Sequence, residues 1–89
     1  MKEMDELEKY LNDNGYLYER NVEYDGEQII VYDSRGKKQW DAVCHCFSYG
    51  HKDGLLEIMG TIVKDKEMEV EGFLTAQDII ERLEGAKCR

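Results

Sequence analysis

Residues 40–60 read WDAVCHCFSYGHKDGLLEIMG. This stretch holds the single Trp, both His and two of the three Cys. Within it the spacing of apolar residues changes from strand-like to helix-like. From Trp40 to Phe47 the side chains alternate, so Trp40, Ala42 and Cys44 share one face of a strand and Asp41, Val43 and His45 the other. Ser48 to Gly54 is polar, contains two Gly and reads as a loop. Leu55, Leu56, Ile58, Met59, Ile62 and Val63 then recur at i, i+1, i+3, i+4, i+7 and i+8, which predicts a helix from Gly54 to about Lys64. A strand is the alternative state of this segment. Gly60 inside a helix costs roughly 1 kcal/mol against Ala and implies that the helix passes close to a sheet.

Two strands precede the Trp strand. Tyr16 to Tyr24 alternates, with Tyr18, Val22 and Tyr24 on one face, and Gln28 to Asp33 is β-branched and aromatic. Asp25-Gly26 between them is the sequence signature of a tight hairpin. A turn centred there faces Tyr24 with Glu27, Val22 with Ile29 and Arg20 with Val31. Ser34-Arg35-Gly36-Lys37 forms the second turn, with Gly36 left-handed. A two- or four-residue loop pairs Val31 with Trp40 and Ile29 with Ala42. Val22, Ile29, Val31, Trp40, Ala42 and Cys44 then share one face of a three-stranded meander. A three-residue loop would flip the third strand, because side chains alternate with period two. The opposite face carries Ile30, Tyr32, Asp41, Val43, His45 and Phe47. A sheet apolar on both sides has to be covered on both, by a helix or by another molecule.

Helices flank the meander. Met4, Leu7, Tyr10 and Leu11 form an amphipathic stripe over Lys2 to Asp13, stopped by Asn14-Gly15. Lys64 to Glu71 is a charged loop, and Val70 to Leu74 forms a short extra strand. Thr75 is the N-cap of a last helix, with Asp78 in a capping-box position and Ile79, Ile80 and Leu83 buried. That helix is expected to stop at Gly85, with Ala86 to Arg89 frayed. The expected architecture is a single α+β domain, residues 1–89, in the order α-β-β-β-α-(β)-α, its three-stranded antiparallel meander packed with two or three helices.

Candidate chemistry is concentrated at Cys44-His45-Cys46. Zinc sites want four ligands in short-spaced pairs, and His51 and Cys88 would have to complete this one. In a strand, Cys44 and Cys46 point away from His45, so the expected roles are two small buried thiols and a structural His, with no metal or cofactor. The same divergence keeps His45 from activating Cys44 as a nucleophile. Asp41 and His45 share a face, but ~13 Å apart along a strand. No Gly-rich phosphate loop or nucleophile elbow is present. Tyr49-Gly50-His51 on the following loop is a candidate recognition tip.

The 89 residues carry a net charge of −8, which argues against direct binding to a nucleic-acid backbone. No run approaches the ~18 apolar residues of a membrane span, and the acidic start lacks the apolar core of a signal peptide. An odd number of Cys without disulfide-like spacing favours a reducing, cytoplasmic setting.

The pattern WDA-x-CH, SYG, GLLEIMG and G-x-LTA-x-D-x-I-x-R, read from Gln28 onward, resembles a group of small uncharacterised proteins encoded in prophages and mobile elements of gut Firmicutes. The resemblance implies a small bacterial cytoplasmic protein of phage or mobile-element origin, with no activity attached. Together these readings predict a non-enzymatic interaction module that binds a host or phage protein, or a second copy of itself. Its contact residues are Ile30, Tyr32, Val43, His45 and Phe47, with Tyr49 and His51 at the tip. No small-molecule substrate is identified. Two alternatives stand beside this: an acidic DNA mimic that inhibits a nucleic-acid enzyme, of the anti-CRISPR type, and a small Cys/His zinc protein.

Overall fold

The computed structural model describes residues 1–65 and 67–87, the last two as backbone only. Helix α1 (Lys2–Asp13) leads into strands β1 (Leu17–Glu23), β2 (Gly26–Tyr32) and β3 (Lys38–Cys44). A single 3-10 turn at His51–Asp53 precedes β4 (Leu56–Gly60), β5 (Val70–Leu74) and helix α2 (Ala76–Lys87). The five strands form one antiparallel sheet in the order β1-β2-β3-β4-β5. The fold is therefore α+β, with a five-stranded meander and two helices. None of the described helices is long and apolar enough to cross a membrane.

The expected meander is present but short by two strands, and the helix expected over Gly54 to Lys64 is β4. The apolar spacing there suits either state, and two physical facts decide it. Gly54 and Gly60 both take positive φ, 71° and 116°, which breaks a helix at each end of the segment. Without β4, moreover, β3 would be an edge strand with a row of unpaired backbone groups beside the core. Pairing of Ala42 with Ile58 and of Asp41 with Met59 satisfies them. Gly60 does mark a close approach: a Cβ there would lie 2.5 Å from the Gln39 carbonyl oxygen.

The β2–β3 register is the expected one, Val31 opposite Trp40 and Ile29 opposite Ala42. Its loop is tied by the Asp33 carboxylate, which accepts the N–H groups of Arg35 and Lys37, and Gly36 is left-handed. The β1–β2 register differs. Glu23 opposes Gly26, so the turn is Tyr24-Asp25, and Val22 faces Glu27 rather than Ile29. Val22 keeps the expected face but sits beyond the helices at the hairpin end, 84% exposed. Tyr24, not Gly26, carries the positive φ of the turn.

The core is one cluster. Met4, Leu7 and Leu11 of α1 and Ile79 and Leu83 of α2 pack on Ile29, Val31, Trp40, Ala42, Cys44, Leu56 and Ile58. All these strand residues share one face, so both helices cover the same side of the sheet. Arginines tie the helices down. Arg20 on β1 meets Asp5 and Glu8 of α1 and Glu27 of β2. Arg82 on α2 grips Glu71 of β5 through two hydrogen bonds of 2.6 and 2.8 Å. The capping box of α2 forms as expected: Thr75 Oγ1 accepts the Asp78 N–H and the Asp78 carboxylate accepts the Thr75 N–H. The Glu3 carboxylate accepts the Ala76 N–H, which joins the two helices at one end. The helix runs through Gly85 to Lys87 instead of stopping at Gly85, while Cys88 and Arg89 lie outside the described residues.

Candidate functional site

The second face of the sheet carries Glu19, Asn21 and Glu23 from β1, Gln28, Ile30 and Tyr32 from β2, Asp41 and Val43 from β3, Glu57 and Met59 from β4, and Val70 from β5. It is more polar than expected, because the strand at 56–60 adds Glu57 opposite Val43 and because Gln28 and Tyr32 each hold a carboxylate on it. Gln28 Nε2 donates to Asp41 Oδ2 at 2.8 Å, and the Tyr32 hydroxyl donates to Glu19.

On this face lies a cleft of about 400 Å3. Its floor is Gln28, Asp41, Val43 and Met59, its rim Glu23 and Glu57, and its wall the rings of Tyr24, His45 and Phe47. Tyr24 stands edge-on to both other rings, with centroids 5.0 Å away in each case. Phe47, 73% exposed, reaches the cleft from a turn rather than from a strand, because β3 ends at Cys44. That turn is fixed locally. The His45 N–H donates to Ser48 Oγ, the Ser48 hydroxyl donates to the His45 carbonyl, and the Phe47 N–H donates to His45 Nδ1 at 3.2 Å. An accepting Nδ1 leaves the ring proton of neutral His45 on Nε2, which lies 3.9 Å from the Glu23 carboxylate.

Val43, His45 and Phe47 therefore meet as expected, with Ile30 and Tyr32 farther along the same face. Tyr49 and His51 do not line this cleft, but both border a neighbouring concavity with Phe47. The Tyr49 ring lies beside Phe73, centroids 6.4 Å apart, while its N–H donates to Glu57. His51 belongs to the 3-10 turn and also borders a concavity with Cys44, His45, Asp25 and Asp53. Tyr24, Glu23, Glu57 and Met59 were missed. Placing the first turn one residue late assigned Tyr24 to a strand face, and the helix expected over 54–64 removed Glu57 and Met59 from the sheet.

Cys44 is buried, but Cys46 is exposed, which corrects the expectation of two buried thiols. The chain has already turned at Cys46, so strand alternation no longer places it beside Cys44. Among the described residues no three His, Cys, Asp or Glu side chains are grouped to hold a metal; Cys88 lies outside them. Burial pushes the Cys44 thiol above its ordinary value, with lesser opposing and reinforcing charges. Iodoacetamide at neutral pH is therefore expected to alkylate Cys46 and spare Cys44 in the folded protein, read by peptide mass mapping. Equal labelling of the two would contradict the burial of Cys44.

A larger, mainly apolar concavity of about 710 Å3 lies beyond Glu57 and Met59, between Tyr49, Val63, Met68, Val70 and Phe73. Phe73 holds a φ of 58° and is exposed, at a bulge in the β4–β5 pairing.

Comparison with family models, curated proteins and solved structures returned no match for this chain. The class the fold and cleft define is an acidic α+β protein whose helices cover one face of its sheet and whose other face carries an aromatic, carboxylate-rimmed cleft.

Proposed function

We propose that the protein is a non-enzymatic interaction module, of phage or mobile-element origin, that docks the second face of its sheet against a basic segment of a partner protein. The observation that carries this reading is the one-sided placement of α1 and α2. The face they leave presents Ile30, Tyr32, Met59 and the Tyr24–Phe47 rings beside Glu23, Asp41 and Glu57. Aromatic anchors within a ring of charge are the composition of a recognition surface.

The sign of the charge selects among partners. Arg20 is matched to carboxylates on the helix side, whereas among the described residues no Lys or Arg lines the cleft, Lys38 reaching Asp41 only from beside it. A second copy of the chain would bring like charge against like, which opposes a face-to-face dimer and favours a basic partner. Phosphate mimicry is less well supported, because the carboxylates are spread over both helices, the sheet and the 61–69 loop rather than arrayed on one surface.

NMR titration with a short basic peptide and its acidic counterpart tests the reading. The basic peptide is expected to shift the amides of Gln28, Ile30, Val43 and Met59, more weakly as salt is raised. Phe47→Ser is expected to weaken that binding about tenfold, as loss of an aromatic anchor does. Shifts confined to α1, or equal response to the acidic peptide, would refute the docking surface.

A further inference from the structure

We propose that the cleft beside Asp41 is a binding site for a lysine side chain of the partner, an inference that rests on the docking reading above and narrows it to one residue type. Asp41 is buried, with 7% of its surface exposed. Its Oδ2 accepts the Gln28 amide. Its Oδ1 is shut off from water and accepts no hydrogen bond from any described residue. A buried carboxylate oxygen without a donor is unfavourable, and a cation that supplies one removes the penalty.

The chain's own lysine comes close to doing so. Lys38 Nζ lies 3.8 Å from Asp41 Oδ1, beyond hydrogen-bond length, on a side chain that is half exposed. The pair is long and its Lys38 end is half exposed, so displacing Lys38 costs little and leaves Oδ1 for an incoming group. Lys38 stands where a partner's ammonium would sit, without making the bond.

The chemistry of the vacant acceptor discriminates between cations. A guanidinium fork matches both oxygens of a carboxylate, and Gln28 already holds one. An ammonium is a point donor and needs only Oδ1. A divalent metal would need several hard ligands, and the described residues group no three His, Cys, Asp or Glu for one. Val43 and Met59 supply an apolar lining for the methylene stem, and the Tyr24 and Phe47 rings at the mouth favour a passing cation.

The test is a titration of the full chain with a short lysine peptide, its arginine counterpart and its acetyl-lysine counterpart, followed by amide shifts. The lysine form is expected to shift Asp41, Val43 and Met59 and to bind roughly tenfold tighter than the arginine form. Acetylation, which removes the charge, abolishes the effect. Asp41→Asn, which keeps an acceptor for Gln28, weakens lysine binding roughly tenfold. Lys38→Met removes the internal competitor and tightens it by roughly two- to fivefold; this arm stands even if Asp41→Asn does not fold. Equal binding of the lysine and arginine peptides at these amides, or Lys38→Met binding no tighter than wild type, overturns the lysine site and leaves the docking surface standing. Basic peptides that leave the whole face unperturbed overturn both.

Discussion

Gly26→Ala is expected to destabilise the protein by about 3 kcal/mol or more, a large share of the stability of a domain this size. Gly26 is buried at the first position of β2, and its φ is not in the left-handed region. The constraint is contact, not conformation. A Cβ at this position would lie 1.7 Å from the Cys44 carbonyl oxygen and 2.8 Å from the His45 Cα. Both are backbone atoms, so no side chain can rotate out of the way and β2 and β3 must separate where the chain leaves β3. Gly36→Ala is the control. Gly36 has a φ of 83° with open space around its Cβ position, so the cost there is conformational, about 1 kcal/mol. Urea melts of the two variants measure the difference. A Gly26→Ala protein no less stable than Gly36→Ala would mean that β3 does not approach Gly26 as described. Because His45 and Phe47 follow directly from this contact, a surviving Gly26→Ala fraction is also expected to show displaced amide signals for the ring cluster.

The same glycine shows where the sequence was legible and where it misled. Asp-Gly between two alternating runs announces a hairpin, and the hairpin is there. The dipeptide does not reveal which residues occupy the turn centre, and close packing against β3 drew Gly26 into the strand and left Tyr24 at the turn. The Val31–Trp40 register is readable because it gathers the Trp with the β-branched Ile29 and Val31. The 55–63 spacing fitted helix and strand alike, and what separates them is the exposed edge of β3, a demand set by tertiary structure. The candidate site inherits both outcomes. Val43 and His45 follow from alternation along β3. Phe47 arrives through a turn whose hydrogen bonds to Ser48 and His45 no periodicity predicts, and Glu57 and Met59 arrive through β4. The spacing predicts an apolar second face with Asp41 on it; of the carboxylates that add to its charge, Glu57 belongs to β4, where the spacing predicts a helix, and Glu23 to the end of β1.

Arg20→Met is expected to cost about 2 kcal/mol at neutral pH, less than the loss of one member of a fully buried pair because its partners are partly wet. The Arg20 side chain is one-fifth exposed and serves Asp5, Glu8 and Glu27 together. Its removal leaves three carboxylates facing one another across the α1–sheet junction. The pH dependence has a definite sign. The hydrogen bond from Arg20 holds the Asp5 carboxyl below its ordinary value, and the hydrogen bond from Arg82 does the same for Glu71. A group depressed in the folded state stabilises above its unfolded pKa, near 4, and that stability disappears as pH falls through the lower folded value. Wild type therefore loses stability on acidification below about pH 4, whereas Arg20→Met, already lacking the Arg20 contribution and relieved of repulsion as its carboxylates protonate, is expected to close the gap with wild type in acid. Melting temperatures across pH 2–7 measure this; a gap that widens in acid would contradict the assignment. The substitution also bears on recognition. Arg20 offsets part of the charge of Asp5, Glu8 and Glu27 on the helix side, while Glu23, Asp41 and Glu57 line the cleft of the open face. With Met at position 20 the helix side becomes more acidic and loses its one Arg at the α1 junction, and a basic peptide is expected to shift amides of α1 in addition to those of the cleft. Shifts that stay confined to the cleft in that variant would mean that the rings and the Asp41 pocket, rather than the distribution of charge, choose the docking face.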